Sequence, residues 1–270
     1  MFLSVYTYVK NGLHYDFHVV EMLKHHLPLA DEIVVNEGYS TDGTYEAIAS
    51  LDPKIRITRT HWEKPGNTFE WYSVLKNHAR LQCSGEWCLH LDADEFVPEW
   101  EFQRMREMLK SCSAQMLPLR MIDFYGNYKV YDTKPLCWRK MILHRNSPEI
   151  EFWGDGANVR IRNEPFEWGD APLQFNVHHF GSVRHAARLR EKWHIQGRMY
   201  GKGKKLKIPG FVFNLVPHDW RDPQFLSKLA IYEGPYIKAV RDNAQEFVRD
   251  NFTLLKLLEE RSPATAELTA

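Results

Sequence analysis

The chain has 270 residues, 44% of them hydrophobic and 13% aromatic, which supplies a substantial core and excludes a disordered chain. Lysine plus arginine and aspartate plus glutamate both number 35, so net charge singles out no nucleic acid, membrane or acidic partner. No apolar run approaches the ~18 residues of a membrane helix.

"MFLSVYTYVKNG" lacks the basic start and sustained apolar stretch of a secretory signal. Cys83, Cys88, Cys112 and Cys137 match no zinc spacing. These features predict a cytoplasmic protein with reduced thiols, in which peripheral membrane contact stays open.

Residues 2–8, "FLSVYTY", are rich in β-branched and aromatic side chains and predict a first strand that Asn11-Gly12 ends. Helical spacing of Phe17, Val20, Leu23 and Leu27 follows, with Pro28 beyond the stop. "EIVVN" (32–36) predicts a strand, and Ser40, Thr41 and Asp42 offer caps for the next helix, with Asp42 read as a cap before a ligand. "KIRIT" (54–58) alternates as a strand, 69–82 reads as a helix, Ser84-Gly85 as a turn and "EWCLHLD" (86–92) as a strand.

This alternation is that of an α/β unit with a parallel sheet. In such sheets ligands bind outside the carboxyl ends of the strands, and "LHLDADE" puts its acids at such an end. The middle of the chain gives one amphipathic helix (99–112) and strand-like runs at 114–126 and 136–145, so the sheet is predicted to be mixed, with antiparallel partners flanking a parallel core. Residues 184–207 carry nine Lys or Arg against the single acid Glu191, and the tail reads as one or two helices.

Asp92 and Asp94 are hard oxygen ligands two residues apart, which on an extended segment point to one side and could face one divalent ion. A solvated acidic turn is the plain alternative, because D-x-D arises often by chance. The surrounding pattern is more specific. "EIVVNEGYSTDGTYE" followed by "KNHARLQCSGEWCLHLDADEF" resembles the nucleotide-sugar half of a family 2 glycosyltransferase. Asn77, Gly85, Glu86, Trp87 and Leu91 to Glu95 match in register, and Lys76 stands where that family often has Arg. The resemblance covers about residues 1–100.

It implies a GT-A, Rossmann-like α/β fold: a mixed, mainly parallel sheet flanked by helices with a helical C-terminal extension. Residues 1–210 would form the transferase domain, with 1–98 the nucleotide-sugar half and 99–210 the acceptor half and a basic lid, and 211–270 the extension. It also implies a nucleotide-sugar donor, a UDP-sugar first among them, and Mn2+ or Mg2+. Thr7 and Tyr8 would line the nucleotide pocket, unless Thr7 is core. Glu37 would contact the base, or only hold its loop. Lys76 would reach base, phosphates or solvent.

Asp92 would face ribose or metal, Asp94 would meet the metal bridging the diphosphate, and Glu95 would orient them. "FNVHHFGSVR" resembles a late metal-site segment, favouring His179 over His178 as third ligand, against a strand with one buried and one exposed ring.

Arg184, Arg190 and the Lys202–Lys207 loop could close over the diphosphate. They could equally form a solvated face or a patch for an anionic acceptor. Inverting transfer needs a carboxylate base near the acceptor hydroxyl. Glu151, Asp155, Glu167 and Asp170 are available, and Asp155 is preferred because it lies between glycines just after Trp153. A G-D-G turn is its plain alternative, and Gly156-Ala157-Asn158 departs from the V-H-E triplet common in relatives, which leaves retention of configuration open.

The acceptor is left open among glycan, lipid-linked sugar, protein and nucleic acid. A nucleotidyltransferase would want a Gly-rich basic loop after the first strand, where only Lys10 and Gly12 occur. A non-catalytic nucleotide-sugar-binding module is the reading from another class.

Overall fold

In the computed structural model of the protein, the described residues are 2–62, 70–135, 139–165, 175–199, 206–208, 211–213, 223–248 and 253–260. The chain divides into two compact units, Met1–Met121 with Cys137–His179 and Ile122–Leu136 with Phe180–Ala270.

The first unit is built on a twisted mixed sheet. Its parallel core holds β1 (Leu3–Val9), β2 (Glu32–Glu37), β3 (Ile55–Arg59) and β4 (Trp87–His90), with β1 between β2 and β4 and β3 outside β2. β1, β2 and β4 are buried almost throughout, as expected of central parallel strands covered on both faces, which is why they read as continuous apolar runs. After the two-residue β5 (Glu95–Phe96) the chain returns through β6 (Met116–Tyr125) and, beyond β7 (Val130–Asp132), β8 (Arg139–Arg145). β8 lies antiparallel between β4 and the first part of β6. The sheet is thus mixed and mainly parallel with antiparallel partners, as the order of apolar runs predicts.

Helices α1 (Val19–His26), α2 (Thr44–Ala49) and α3 (Trp71–Arg80) connect the parallel strands, and α4 (Phe102–Ser111) follows β5. α3 buries Trp71, Leu75 and Ala79, spaced one turn apart, and α4 buries Phe102, Met105 and Leu109. A small antiparallel sheet of β9 (Ile150–Trp153), β10 (Asn158–Ile161) and β11 (Glu164–Pro165) packs on α3, and Tyr6, Val34, Ala79, Cys83, Cys88, Met116, Ile150, Phe152 and Val159 form the core there. β12 (Phe175–Ser182) pairs with β5, His179 opposite Glu95.

Two matched motif residues have mechanical tasks. Gly85 packs against β1 so closely that a Cβ would stand 2.7 Å from the Ser4 backbone nitrogen. Asn77 docks the hairpin on α3 as a strand partner would: its Nδ2 donates to the Phe152 carbonyl (2.7 Å), and the Phe152 N–H donates to its Oδ1 (3.0 Å).

The second unit contains β7, α5 (Ala186–Met199), the pair β13 (Leu206–Ile208) and β14 (Phe211–Phe213), α6 (Pro223–Leu226), β15 (Leu229–Ile231), α7 (Lys238–Asp242) and α8 (Thr253–Glu259). Among the described residues, the tail expected as one or two helices holds the short helices α7 and α8 and, against expectation, the strand β15. β15 pairs antiparallel with β7 and joins a core of Tyr125, Val130, Phe225, Leu226, Leu229, Leu254 and Leu255. Gly234-Pro235 stops any helix there, since proline brings no N–H and clashes with the preceding turn. Tertiary pairing then outweighs the weak helical pattern.

Candidate active site at the carboxyl ends of the parallel strands

The ends of β1, β2, β3 and β4 deliver Tyr8, Glu37, Arg59 and His90 to one edge of the sheet, and the acidic segment begins just past β4. That segment is a turn and not an extension of the strand. The Glu95 N–H donates to the Asp92 carbonyl (3.0 Å), and the Asp92 N–H donates to Glu95 Oε2 (3.0 Å). Strand alternation therefore stops at Asp92, and the expectation that Asp92 and Asp94 face one point does not hold.

Asp92 turns to cations. Its Oδ2 accepts from Lys140 Nζ at 3.1 Å, and its Oδ1 lies 3.4 Å from Lys76 Nζ and 3.1 Å from His90 Nε2. Burial favours the neutral acid, but Lys140 and Lys76 hold its carboxyl well below the usual range. His90 Nδ1 is also 3.2 Å from the Tyr6 carbonyl, and burial and then Lys76 lower the ring's proton affinity. The ring is neutral and its single proton serves one of these two acceptors, so the lysines balance Asp92.

Lys76, on α3, is itself buried; its Nζ donates to the Gly156 carbonyl at 3.1 Å and lies over the rings of Tyr8 and Phe152. Lys140 was missed in the sequence. It donates to Glu95 Oε1 as well as to Asp92. Burial works against its charge, yet Asp92 and Glu95 raise its pKa above that of an ordinary lysine. The one local signal was a lysine inside the strand run "WRKMILHR". Its partners lie 45 and 48 residues earlier.

Asp94 is 2% exposed, and His179 Nε2 stands 3.5 Å from its Oδ1. His178 points elsewhere, edge-on to Trp100, and burial drives its pKa to about 3. Two ligands about 2.1 Å from one ion at right angles stand about 3 Å apart, and Mg2+ or Mn2+ commonly takes one or two protein groups with phosphate oxygens and water. Asp94 and His179 fit such an ion in type and spacing. Among the described residues no three His, Cys, Asp or Glu side chains converge as a ligand set, and Asp92 is not a member of one.

Tyr8 sits at the end of β1 among Trp62, Tyr72 and His90, with the His90 ring stacked at 6.0 Å. Thr7 does not line a pocket: it is fully buried, and its Oγ1 has no hydrogen-bond partner among the described residues. Glu37 does not face a base either. It is fully buried, accepting from the Tyr39 N–H (3.1 Å), the Ser40 N–H (2.5 Å) and Arg59 Nε (2.7 Å), and so holds the loop. Asp42 also ties loops, accepting from the Thr44 N–H (3.1 Å) and hydroxyl (2.6 Å) and from the His14 N–H (2.7 Å).

Asp155 lies in the β9–β10 turn and accepts from the Ala157 N–H at 3.0 Å. Gly154 and Gly156 around it have φ of 62° and 78°, and the Gly156 carbonyl receives Lys76, so this turn is fastened to the Lys76–Asp92 pair. Trp153 beside it is exposed, while Glu151 is paired with Arg160 at 2.8 Å. Arg184 is fully buried and Arg190 exposed on α5, both in the second unit. Glu167, Asp170 and Lys202–Lys205 lie outside the described residues.

No family model matches the chain, and no curated protein matches it. Among solved structures it is similar to TarS 1-349 of S. aureus in complex with UDP-GlcNAc, at 14% identity and TM-score 0.45 over 74% of this chain and 66% of that one. It is also similar to glucosyl-3-phosphoglycerate synthase from Mycobacterium tuberculosis in complex with Mn2+, UDP and glucosyl-3-phosphoglycerate, at 17% identity and TM-score 0.33 over 46% and 45%. A third is mannosyltransferase PcManGT from Pyrobaculum calidifontis in complex with GDP-Man and Mn2+, at 20% identity and TM-score 0.34 over 45% and 35%. The chain spans less than two thirds of the length of each of these structures.

Proposed function

We propose that the chain is a GT-A glycosyltransferase that moves a sugar from a nucleoside-diphosphate donor to an acceptor hydroxyl with inversion. One observation carries this reading. At the carboxyl ends of parallel strands, the acids of "DADE" stand with Lys76, Lys140 and His179, beside the aromatic group of Tyr8, Trp62 and Tyr72. Rings suit a nucleobase or sugar face, and buried cations beside them suit a diphosphate.

Asp94 and His179 would hold Mn2+ or Mg2+, which when bound supplies a Lewis acid for the diphosphate leaving group. Lys76, fixed by the Gly156 carbonyl and Asp92, would orient the phosphates. Tyr8 would pack on the nucleoside. In the transfer the acceptor oxygen bonds to the anomeric carbon as the bond to the diphosphate oxygen breaks, and the hydroxyl proton passes to the Asp155 carboxylate. Trp153, exposed two residues earlier, offers a ring face to a sugar.

The acceptor class stays open among glycan, lipid-linked sugar, protein and nucleic acid. No helix among the described residues is long and apolar enough to cross a membrane.

The test is hydrolysis of UDP-, GDP- and dTDP-sugars with Mn2+, with ligand-induced melting shifts on the same panel. The expected result is slow hydrolysis of one donor class, lost in Asp94→Ala. A wild-type protein that hydrolyses none, with an Asp94→Ala variant whose metal and donor binding are unchanged, defeats the reading.

A further inference from the structure

Lys140 belongs to none of the motif residues, yet it is at the centre of the site's charge network. It and Lys76 hold opposite oxygens of Asp92, Oδ2 and Oδ1. Solvent reaches this network at Asp92 and Lys140. The Asp92 and Lys140 side chains are 25% and 20% exposed, whereas Glu95 is fully buried and Lys76 is 7% exposed. A network whose only task was stability would be served as well by apolar side chains of similar volume. This one opens on the edge where the strands end.

We propose that Lys140 is a binding residue for the donor's diphosphate, and that Asp92 acts as a positioning residue for Lys76 and Lys140 and not as a metal ligand. The inference rests on the nucleoside-diphosphate reading and deepens it. An ammonium has three N–H donors, and Asp92 and Glu95 take two of those of Lys140. Glu95 is the fixed anchor, because it is fully buried and its other oxygen is held by the Asp92 N–H.

The third donor, and on ligand arrival the one now on Asp92, serve phosphate oxygens. The two lysines and the two carboxylates Asp92 and Glu95 cancel in charge, so the lysines are held upright without an external anion. Asp94 and His179, 3.5 Å from each other, are the metal half of the site on this reading.

Isothermal titration with inorganic pyrophosphate, UDP and Mn2+ separates the two halves. In metal-free buffer Lys140→Gln is expected to weaken pyrophosphate and UDP binding about tenfold or more, the worth of a charge-assisted contact, while Lys140→Arg keeps most of it. Mn2+ affinity without nucleotide is expected to stay within about twofold in Lys140→Gln and Asp92→Asn and to fall in Asp94→Asn.

Wild-type pyrophosphate affinity in a folded Lys140→Gln protein overturns the Lys140 assignment while leaving the donor reading standing. Loss of Mn2+ affinity in Asp92→Asn overturns the division of roles. A wild-type protein that binds neither pyrophosphate nor UDP overturns this inference and the donor reading together. Should Lys140→Gln fail to fold, the Glu95→Gln/Lys140→Gln double variant removes both buried charges, and the same pyrophosphate comparison decides.

Discussion

Acidification from pH 7.5 to 4.5 should destabilise the first unit through His144, which lies under the site. Its Nδ1–H donates to the Arg145 carbonyl at 2.8 Å, so its bare Nε2 accepts from the Tyr6 hydroxyl, also at 2.8 Å. The ring is fully buried, and burial, against the Arg145 hydrogen bond, lowers its pKa from 6.5 to about 4. A second proton would both bury a charge and remove the acceptor of the Tyr6 hydroxyl.

Because the folded pKa is depressed, the unfolded chain binds the proton first. The contribution of His144 is complete above about pH 6.5 and is lost progressively as pH falls toward 4. A gap of about 2.5 pH units corresponds to about 3 kcal/mol, at a slope approaching 1.4 kcal/mol per pH unit. Urea unfolding midpoints at half-unit pH steps measure it, using wild type against Tyr6→Phe/His144→Leu, which removes both ends of the hydrogen bond. His26, His90 and His178, also buried and lowered, remain in both proteins and keep a common background slope. The double variant should lose stability more gently on acidification by close to one proton. Parallel curves would refute the argument.

Gly156→Ala should cost about 2 kcal/mol by thermal melting and weaken donor binding, because φ is 78° and the new Cβ would meet the Ser73 nitrogen at 3.0 Å on the turn that holds Lys76. Glu37→Ala should cost about 3 kcal/mol in urea titration, since it leaves Arg59 and two loop N–H groups without their acceptor. Asp94→Asn and His179→Ala should each lower Mn2+ affinity at least about tenfold by titration calorimetry, while His178→Ala lowers stability and leaves Mn2+ affinity unchanged.

The first half of the fold was readable because its signals are local. Val5, Ile33, Val35 and Leu89 sit on central strands buried on both faces, and the helices between carry one apolar face each. The tail was harder. "LAI" in residues 229–231 becomes a strand only because Val130 to Asp132 lies beside it, nearly a hundred positions earlier, and no local pattern encodes that pairing. Within the site, Asp42 read as a helix cap, but the N-cap of α2 is Gly43, and Asp42 one position earlier ties loops through Thr44 and His14. Thr7 and Glu37 were not readable either: residue type at a strand end says nothing of which face the side chain takes or what already binds it.

The acidic segment shows where such reading stops. Two aspartates at i and i+2 share a face only if the backbone stays extended. Here Glu95 reaches back to the Asp92 N–H and closes a turn, which Lys140 makes tolerable by neutralising a carboxylate that is fully buried. The same lysine also donates to Asp92. Asp94 faces His179, whose strand is held by β5 in a register that sets it opposite Glu95. On the proposed reading, the division of "DADE" between a lysine network and a metal-suited pair rests on Lys140, contributed by a strand that joins the sheet later in the chain.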